Sequence, residues 1–316
     1  MNTTDPPLRA PFPWFGGKSR VSDLAWERLG DVDSYVEPFF GSGAVLLGRP
    51  SNHRGSTETV NDLDGFVANF WRALKYAPAD VEEHTDNPVS ENDLHARHLW
   101  LANHRDELAD RLNADPEHYD AKVAGWWVWG LCAWIGSGWC SGNGPWVNVD
   151  GKLVRGDKGR GINRQLPHLG DKGRGINRRG DWDAHALAAR LRDVRVCSGD
   201  WQRIMGDWSS VIGGMVGVFL DPPYLTTDGD GVYREESNVA HDVCEWAVAN
   251  GDRPNMRIAL CGYDGEHVMP DSWACVPWKA KGGYGSQSKR GNNENSTRER
   301  IWFSPHCLSG RQRSLF

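Results

Sequence analysis

Asp221-Pro222-Pro223-Tyr224 is the stretch of this chain whose residue types and spacing come nearest to setting up chemistry on their own. An ionised Asp221 and the backbone carbonyl of Pro222 can accept the two N–H bonds of a planar amino group and draw its nitrogen towards tetrahedral geometry. Charge-assisted acceptors fixed in advance are the main catalytic device such a site has. Tyr224 adds a ring on which a flat substrate can stack. All of this needs a stiff mount, and the flanking sequence offers one. The run Val216-Gly217-Val218-Phe219-Leu220 is short, apolar and free of polar alternation, which predicts a buried parallel strand. Two prolines then end it, because neither can donate to a ladder. Asp221 is thereby expected at the carboxyl end of a central strand, the edge where open α/β sheets bind ligands. A strand-ending turn with a surface Asp would look the same locally, so the other motifs have to decide.

Upstream, Ser34 to Phe39 reads as a strand, Gly41-Ser42-Gly43 as a tight turn and Ala44 to Leu47 as the start of a helix. Strand, glycine turn and helix open a nucleotide-type α/β unit, with the glycines letting the backbone curl beneath a ligand. About twenty residues on, Asn61-Asp62-Leu63-Asp64 ends a second strand, where an acidic partner for ribose hydroxyls is expected. Asp62 and Asp64 both qualify, and one of them is expected to cap the helix over 66–74 instead. Before these, Trp14-Phe15-Gly16-Gly17-Lys18 suggests a loop that approaches an anionic ligand, with Lys18 supplying charge. The P-loop spacing is absent. An ordinary turn with a solvated lysine fits that segment equally well.

A chain of 316 residues with 39% hydrophobic and 25% charged residues is an ordinary globular protein, long for one domain. Its net charge of −6 means that a nucleic acid would have to be held by a local basic patch. The N-terminus carries no signal-peptide pattern, and the most apolar stretch, 123–136, is too short for a membrane span. Seven cysteines without a CxxC pair suit a reducing cytoplasm.

Residues 77–112 read as charged helix, with His95 and His98 as solvated residues, since no ligand cluster completes their i,i+3 spacing. Residues 120–135 carry Trp126, Trp127, Trp129 and Trp134 on every side, which predicts a buried helix. The segment Gly156-Asp157-Lys158-Gly159-Arg160-Gly161-Ile162-Asn163-Arg164 then recurs over 170–178. Lys158, Arg160, Arg164, Lys172, Arg174 and Arg178 reverse the local charge, a pattern suited to phosphate contacts with base stacking on neighbouring tryptophans. A flexible solvated loop is the alternative. Further on, a helix over 182–191, a strand over 194–197 ending at Asp200, a helix over 241–249 and strands over 257–261, 275–278 and 299–303 are expected.

In their order and spacing, Trp14 to Lys18, Glu37-Pro38-Phe39-Phe40-Gly41-Ser42-Gly43 and Asp221 to Tyr224 resemble the DNA adenine methylase (Dam-like, D12 class) family of adenine-N6 methyltransferases. The resemblance covers residues 11–75 and 180–305, and the paired Gly-Arg repeats resemble phage-encoded members. It implies an α/β, Rossmann-like methyltransferase fold with a mostly parallel seven-stranded sheet and an inserted helical and loop target-recognition region. The catalytic domain would occupy 11–76 and 180–305, with the insert at 77–179.

The resemblance further implies S-adenosylmethionine as cofactor. Trp14 and Lys18 would flank it, with Lys18 near its carboxylate. Glu37, Phe39, Gly41 and Gly43 would form the cofactor loop, Asp62 would bind the ribose hydroxyls and Asp200 would meet the adenine end. Asp221, Pro222, Pro223 and Tyr224 would surround the target base. The implied reaction is methyl transfer to N6 of adenine in double-stranded DNA by direct in-line attack on an extruded base, unreachable inside a duplex. This chemistry requires no metal and no covalent cysteine intermediate. A monomer in the cytoplasm of a bacterial or phage-infected cell is expected. Cytosine-N4 transfer is the nearest rival, although those enzymes more often carry Ser at the first motif position. Glutamine methylation more often goes with Asn there. A DNA-binding protein with degenerate catalysis is the rival of a different class, and the intact motifs speak against it.

Overall fold

The computed structural model describes residues 8–12, 14, 18–53, 57–134, 138–140, 146–149, 152–155, 183–206, 214–224, 234–278 and 298–309. The chain divides into two compact units: Gly16–Asn61 with Trp201–Phe316, and Met1–Phe15 with Asp62–Asp200. The strands are β1 (Ser34–Glu37), β2 (Thr57–Asp62), β3 (Trp146–Val149), β4 (Lys152–Arg155), β5 (Val194–Ser198), β6 (Val216–Leu220), β7 (Met256–Tyr263), β8 (Ala274–Pro277) and β9 (Glu299–Phe303). Seven of them form one mostly parallel sheet in the order β5-β2-β1-β6-β7-β9-β8, and β3 with β4 makes a separate antiparallel pair. This is the Rossmann-like methyltransferase architecture that the motif order implied.

In the first unit the apolar runs become the sheet centre. Every residue of β1 and β6 is buried. The two strands run parallel with Val36 opposite Val218, and β6 continues parallel to β7 with Leu220 opposite Leu260. β9 returns antiparallel to β7, placing Glu299 opposite Tyr263, and β8 closes the edge with mostly exposed residues. β1 has β2 on one side and β6 on the other, so the strand order reverses there. A reversal of this kind opens a crevice at the carboxyl ends of the two central strands. Helix α1 (Ser22–Leu29) is fastened beside them by Trp26, whose indole donates to the Val45 carbonyl at 2.7 Å and packs on Tyr35.

The helix after the glycine turn, α2, spans only Ala44–Leu47. The sequence suggested the start of a longer one. Gly48 and Pro50 stop it after a single turn, so little helix dipole develops there. Gly41 and Gly43 both have positive φ, 48° and 68°, the left-handed conformation that glycine adopts without strain.

The second unit holds α3 (Gly65–Tyr76), α4 (Pro78–Thr85), α5 (Glu91–Asn103), α6 (Arg105–Ala114), α7 (Ala121–Ala133) and α8 (Ala184–Leu191). The residue that caps α3 is Asp64, whose side chain accepts from the Phe66 N–H. The charged stretch 77–112 is helical, folded as α4, α5 and α6. The tryptophan-rich segment is the buried helix its composition predicts, and Trp127 packs among Phe12, Phe66 and Phe70. Arg72, itself buried, donates to the carbonyls of Val196 in β5, Leu112 in the last turn of α6 and Asp115 just after it.

His98 corrects the sequence reading. It is 2% exposed, stacked on Trp134 at 4.9 Å, and its Nδ1 accepts the Cys140 N–H at 3.2 Å. Burial, reinforced by neighbouring His95, pushes its pKa down from 6.5 to about 4. The folded state therefore binds the proton less well than the unfolded chain does. Stability should be unaffected by His98 above pH 6.5 and should fall between 6.5 and about 4. The upper bound is about 3 kcal/mol. Urea midpoints measured across that window should drop less in His98→Gln than in the parent.

Among the described residues no helix is long and apolar enough to cross a membrane. All seven cysteines are free.

Candidate active site

β6 delivers its motif to the crevice as its sequence suggests. Pro222 is buried and Pro223 exposed, and Asp221 and Tyr224 are half-buried. What the motif meets there is Lys18. Its Nζ lies 2.9 Å from Asp221 Oδ1, 5.0 Å above the Tyr224 ring and 5.2 Å above the Trp278 ring. Lys18 is 6% exposed. Desolvation works against its charge, but Asp221 and more distant Glu299 outweigh that loss and leave its pKa raised. Lys18 is thus a cation at any physiological pH and a fixed counter-charge for the motif carboxylate. A solvated lysine in a turn is not what this residue is.

Three further side chains complete the cluster. Glu299, 5% exposed, accepts the Tyr224 O–H at 3.3 Å. Tyr263 stands edge-on to Tyr224 with ring centroids 4.7 Å apart. Burial, then the charge of Asp221, pushes the Tyr224 phenol well above its ordinary pKa, so it remains a donor. The Trp278 Nε1–H is buried and finds no acceptor among the described residues, a donor that a bound ligand could satisfy. None of the three carried a sequence signal, because antiparallel pairing of β9 with β7 brings Glu299 to a tyrosine 75 positions away.

The β1 loop sits beside this cluster in the same unit. Glu37 is buried and accepts the Tyr35 O–H at 2.8 Å. The Phe40 N–H donates to the Asn61 carbonyl, and the Asn61 side chain donates to the Pro38 carbonyl, fixing the loop as it leaves the strand. Phe39, half-buried, packs at 6.3 Å from Trp201. With Asp64 committed to the cap, Asp62 keeps one oxygen on the Asp64 N–H and its backbone carbonyl on the Gly199 N–H. Asp200, which follows β5, is exposed. Trp14 is half-buried against Phe12 and Trp127. Trp14, Asp62 and Asp200 belong to the unit of α3–α8, and the remaining motif residues belong to the unit of β1 and β6. Lys158, Arg160, Arg164, Lys172, Arg174 and Arg178 lie outside the described residues.

The sheet's reversal point thus carries a glycine-curled loop at the end of β1 and Asp-Pro-Pro-Tyr at the end of the neighbouring β6. Residues 14–123 match the family model described as D12 class N6 adenine-specific DNA methyltransferase. Over that stretch the chain is similar to the D12 class, and the match supports an adenine-specific DNA methyltransferase. The match takes in Lys18, the β1 loop and Asp62 and ends before the Asp-Pro-Pro-Tyr motif, which the β1–β6 pairing brings alongside. No curated protein matches the chain.

Proposed function

We propose that this protein moves a methyl group from S-adenosylmethionine to N6 of adenine in double-stranded DNA, by direct in-line attack on a base turned out of the helix. The observation that carries the reading is the Lys18–Asp221 pair, held at the carboxyl end of β6 beside the Tyr224 ring. S-adenosylmethionine, when bound, supplies an electrophilic sulfonium methyl. The left-handed glycines Gly41 and Gly43 and the buried Glu37 make a loop that fits such a cofactor. Phe39 is proposed to line it, with Trp14, Asp62 and Asp200 keeping the roles that the resemblance gave them.

Asp221 accepts one N–H of the adenine amino group through the oxygen that Lys18 leaves available, and the Pro222 carbonyl accepts the other. Both bonds localise the lone pair on nitrogen, where delocalisation into the ring otherwise weakens it. Because the acceptors are set before the base arrives, no reorganisation is needed as charge develops. Tyr224 provides the stacking face for the extruded ring. Asp at the first motif position favours adenine over cytosine. Labelled methyl transfer to synthetic duplexes that carry adenine without cytosine, or cytosine without adenine, tests that preference; transfer to the cytosine duplex alone would reverse it.

The catalytic domain is proposed to comprise 11–76 and 180–305, the protein to act as a monomer, and residues 120–180 to hold the DNA. That last proposal rests on the local charge reversal. Neutralising Arg160, Arg164, Arg174 and Arg178 together should weaken DNA binding and flatten its salt dependence by up to about four phosphate contacts. Unchanged binding would move recognition elsewhere, to the basic 281–290 segment first.

A further inference from the structure

The buried carboxylate of Glu299 has no part in the chemistry derived above, yet it lies against the residue on which the target base is proposed to stack. A buried carboxyl group without a partner is costly, so its hydrogen bonds indicate what it is fixed to. Glu299 opens β9, and its register against β7 sets it directly across from Tyr263. Its Oε2 takes the Tyr224 O–H at 3.3 Å, while the Tyr263 ring limits the tilt of Tyr224 from the side. Asp221, paired with Lys18 at 2.9 Å, also hydrogen-bonds that phenol, so the Tyr224 O–H lies between two carboxylates, of which Glu299 is the one that the chemistry above leaves unused. Burial raises the Glu299 pKa, and the Lys18 charge is the largest effect holding it back. The same ammonium thus faces two carboxylates, Asp221 in contact and Glu299 farther off.

A stacking platform helps only when its plane is set before the substrate arrives, because a ring free to swing about its Cα–Cβ and Cβ–Cγ bonds loses freedom on each binding event. Asp-Pro-Pro fixes the backbone of Tyr224 but leaves those side-chain torsions open. The tether that closes them comes from a strand 75 residues away.

We propose that Glu299 is a positioning residue for the target base: by accepting the Tyr224 O–H it holds the phenol ring in its stacking position beside Asp221. The proposal rests on the reading of Tyr224 as the platform for an extruded adenine.

The test is a double-mutant cycle on the full chain, with unmethylated genomic DNA as methyl acceptor and labelled S-adenosylmethionine as donor. Glu299→Ala should lower kcat/KM for DNA by about tenfold or more, the usual effect of losing a hydrogen bond to a charged acceptor. Affinity for S-adenosylmethionine should not change. Glu299→Gln should restore most of the rate, since its amide oxygen still accepts the phenol proton. Tyr224→Phe, which keeps the ring and removes the tether, should lose about as much as Glu299→Ala. Adding Glu299→Ala to Tyr224→Phe should cost nothing further, because both changes remove the same bond.

Additive losses, or a Gln variant no better than Ala, would overturn the proposal. So would an unchanged rate in Tyr224→Phe, which decides the matter even where Glu299→Ala does not fold. Failure of the parent protein to methylate adenine at all would instead overturn the function on which the proposal rests.

Discussion

Replacing Asp221 with alanine is expected to abolish methyl transfer, a fall of at least about a thousandfold in kcat, while cofactor binding persists. The side chain is proposed to be the charged half of the acceptor pair that reshapes the adenine amino group, and no neighbour can take its place. Lys18 carries the wrong charge, and the other carboxylate of the cluster, Glu299, accepts the Tyr224 O–H. Asp221→Asn should recover little, since its amide offers a neutral acceptor, and neutral acceptors form hydrogen bonds about half as strong. Titrating S-adenosylmethionine into the Asp221→Ala protein by calorimetry, alongside single-turnover transfer, separates the two effects. Retained turnover would remove Asp-Pro-Pro-Tyr from the mechanism.

Lys18→Ala carries the second large effect. Resemblance alone puts Lys18 beside the carboxylate of the cofactor, whereas the geometry puts its ammonium on Asp221, 2.9 Å away and almost sealed from water. The two roles predict different losses. A lysine that orients Asp221 should lower kcat by about a hundredfold or more when removed, because breaking a buried ion pair strands its partner. Cofactor affinity should then move little. A lysine that grips the cofactor should raise its Kd and leave kcat near the parent value at saturation. The first pattern is expected. A loss confined to Kd would return Lys18 to the cofactor.

The local parts of this site were legible in the sequence. Val216 to Tyr224 declares strand, stop and carboxylate within nine consecutive residues, and Ser34 to Gly43 declares strand and glycine turn in the same way. Short-range sterics decide both: β-branched residues extend the chain, prolines end the ladder, and glycine takes the left-handed turn that β1 requires. The choice between Asp62 and Asp64 stayed open because both stand next to the helix start, and one hydrogen bond to the Phe66 N–H resolves it. Glu299, Tyr263 and Trp278 stayed hidden for a different reason. Their meeting with Tyr224 and Lys18 depends on the antiparallel return of β9 between β7 and β8, and nothing in their immediate neighbours encodes that register.

His98 shows the complementary failure. A charged, weakly periodic segment reads as solvated, yet splitting it into α4, α5 and α6 lets each short helix bury one narrow stripe. His98 falls on the stripe of α5 with Leu94 and Leu101. Charge along a sequence reports the outer face of such helices and says little about the single polar residue that turns inward.

The central claim is that this site methylates adenine at N6, and the nucleoside composition of DNA exposed to the protein tests it most directly. The protein would be expressed in a host lacking its own adenine methylase, and the host DNA digested and analysed by mass spectrometry. Excess N6-methyladenine, absent when Asp221→Ala is expressed at the same level, is the predicted result. N4-methylcytosine in its place, or no methylated base at all, would contradict it.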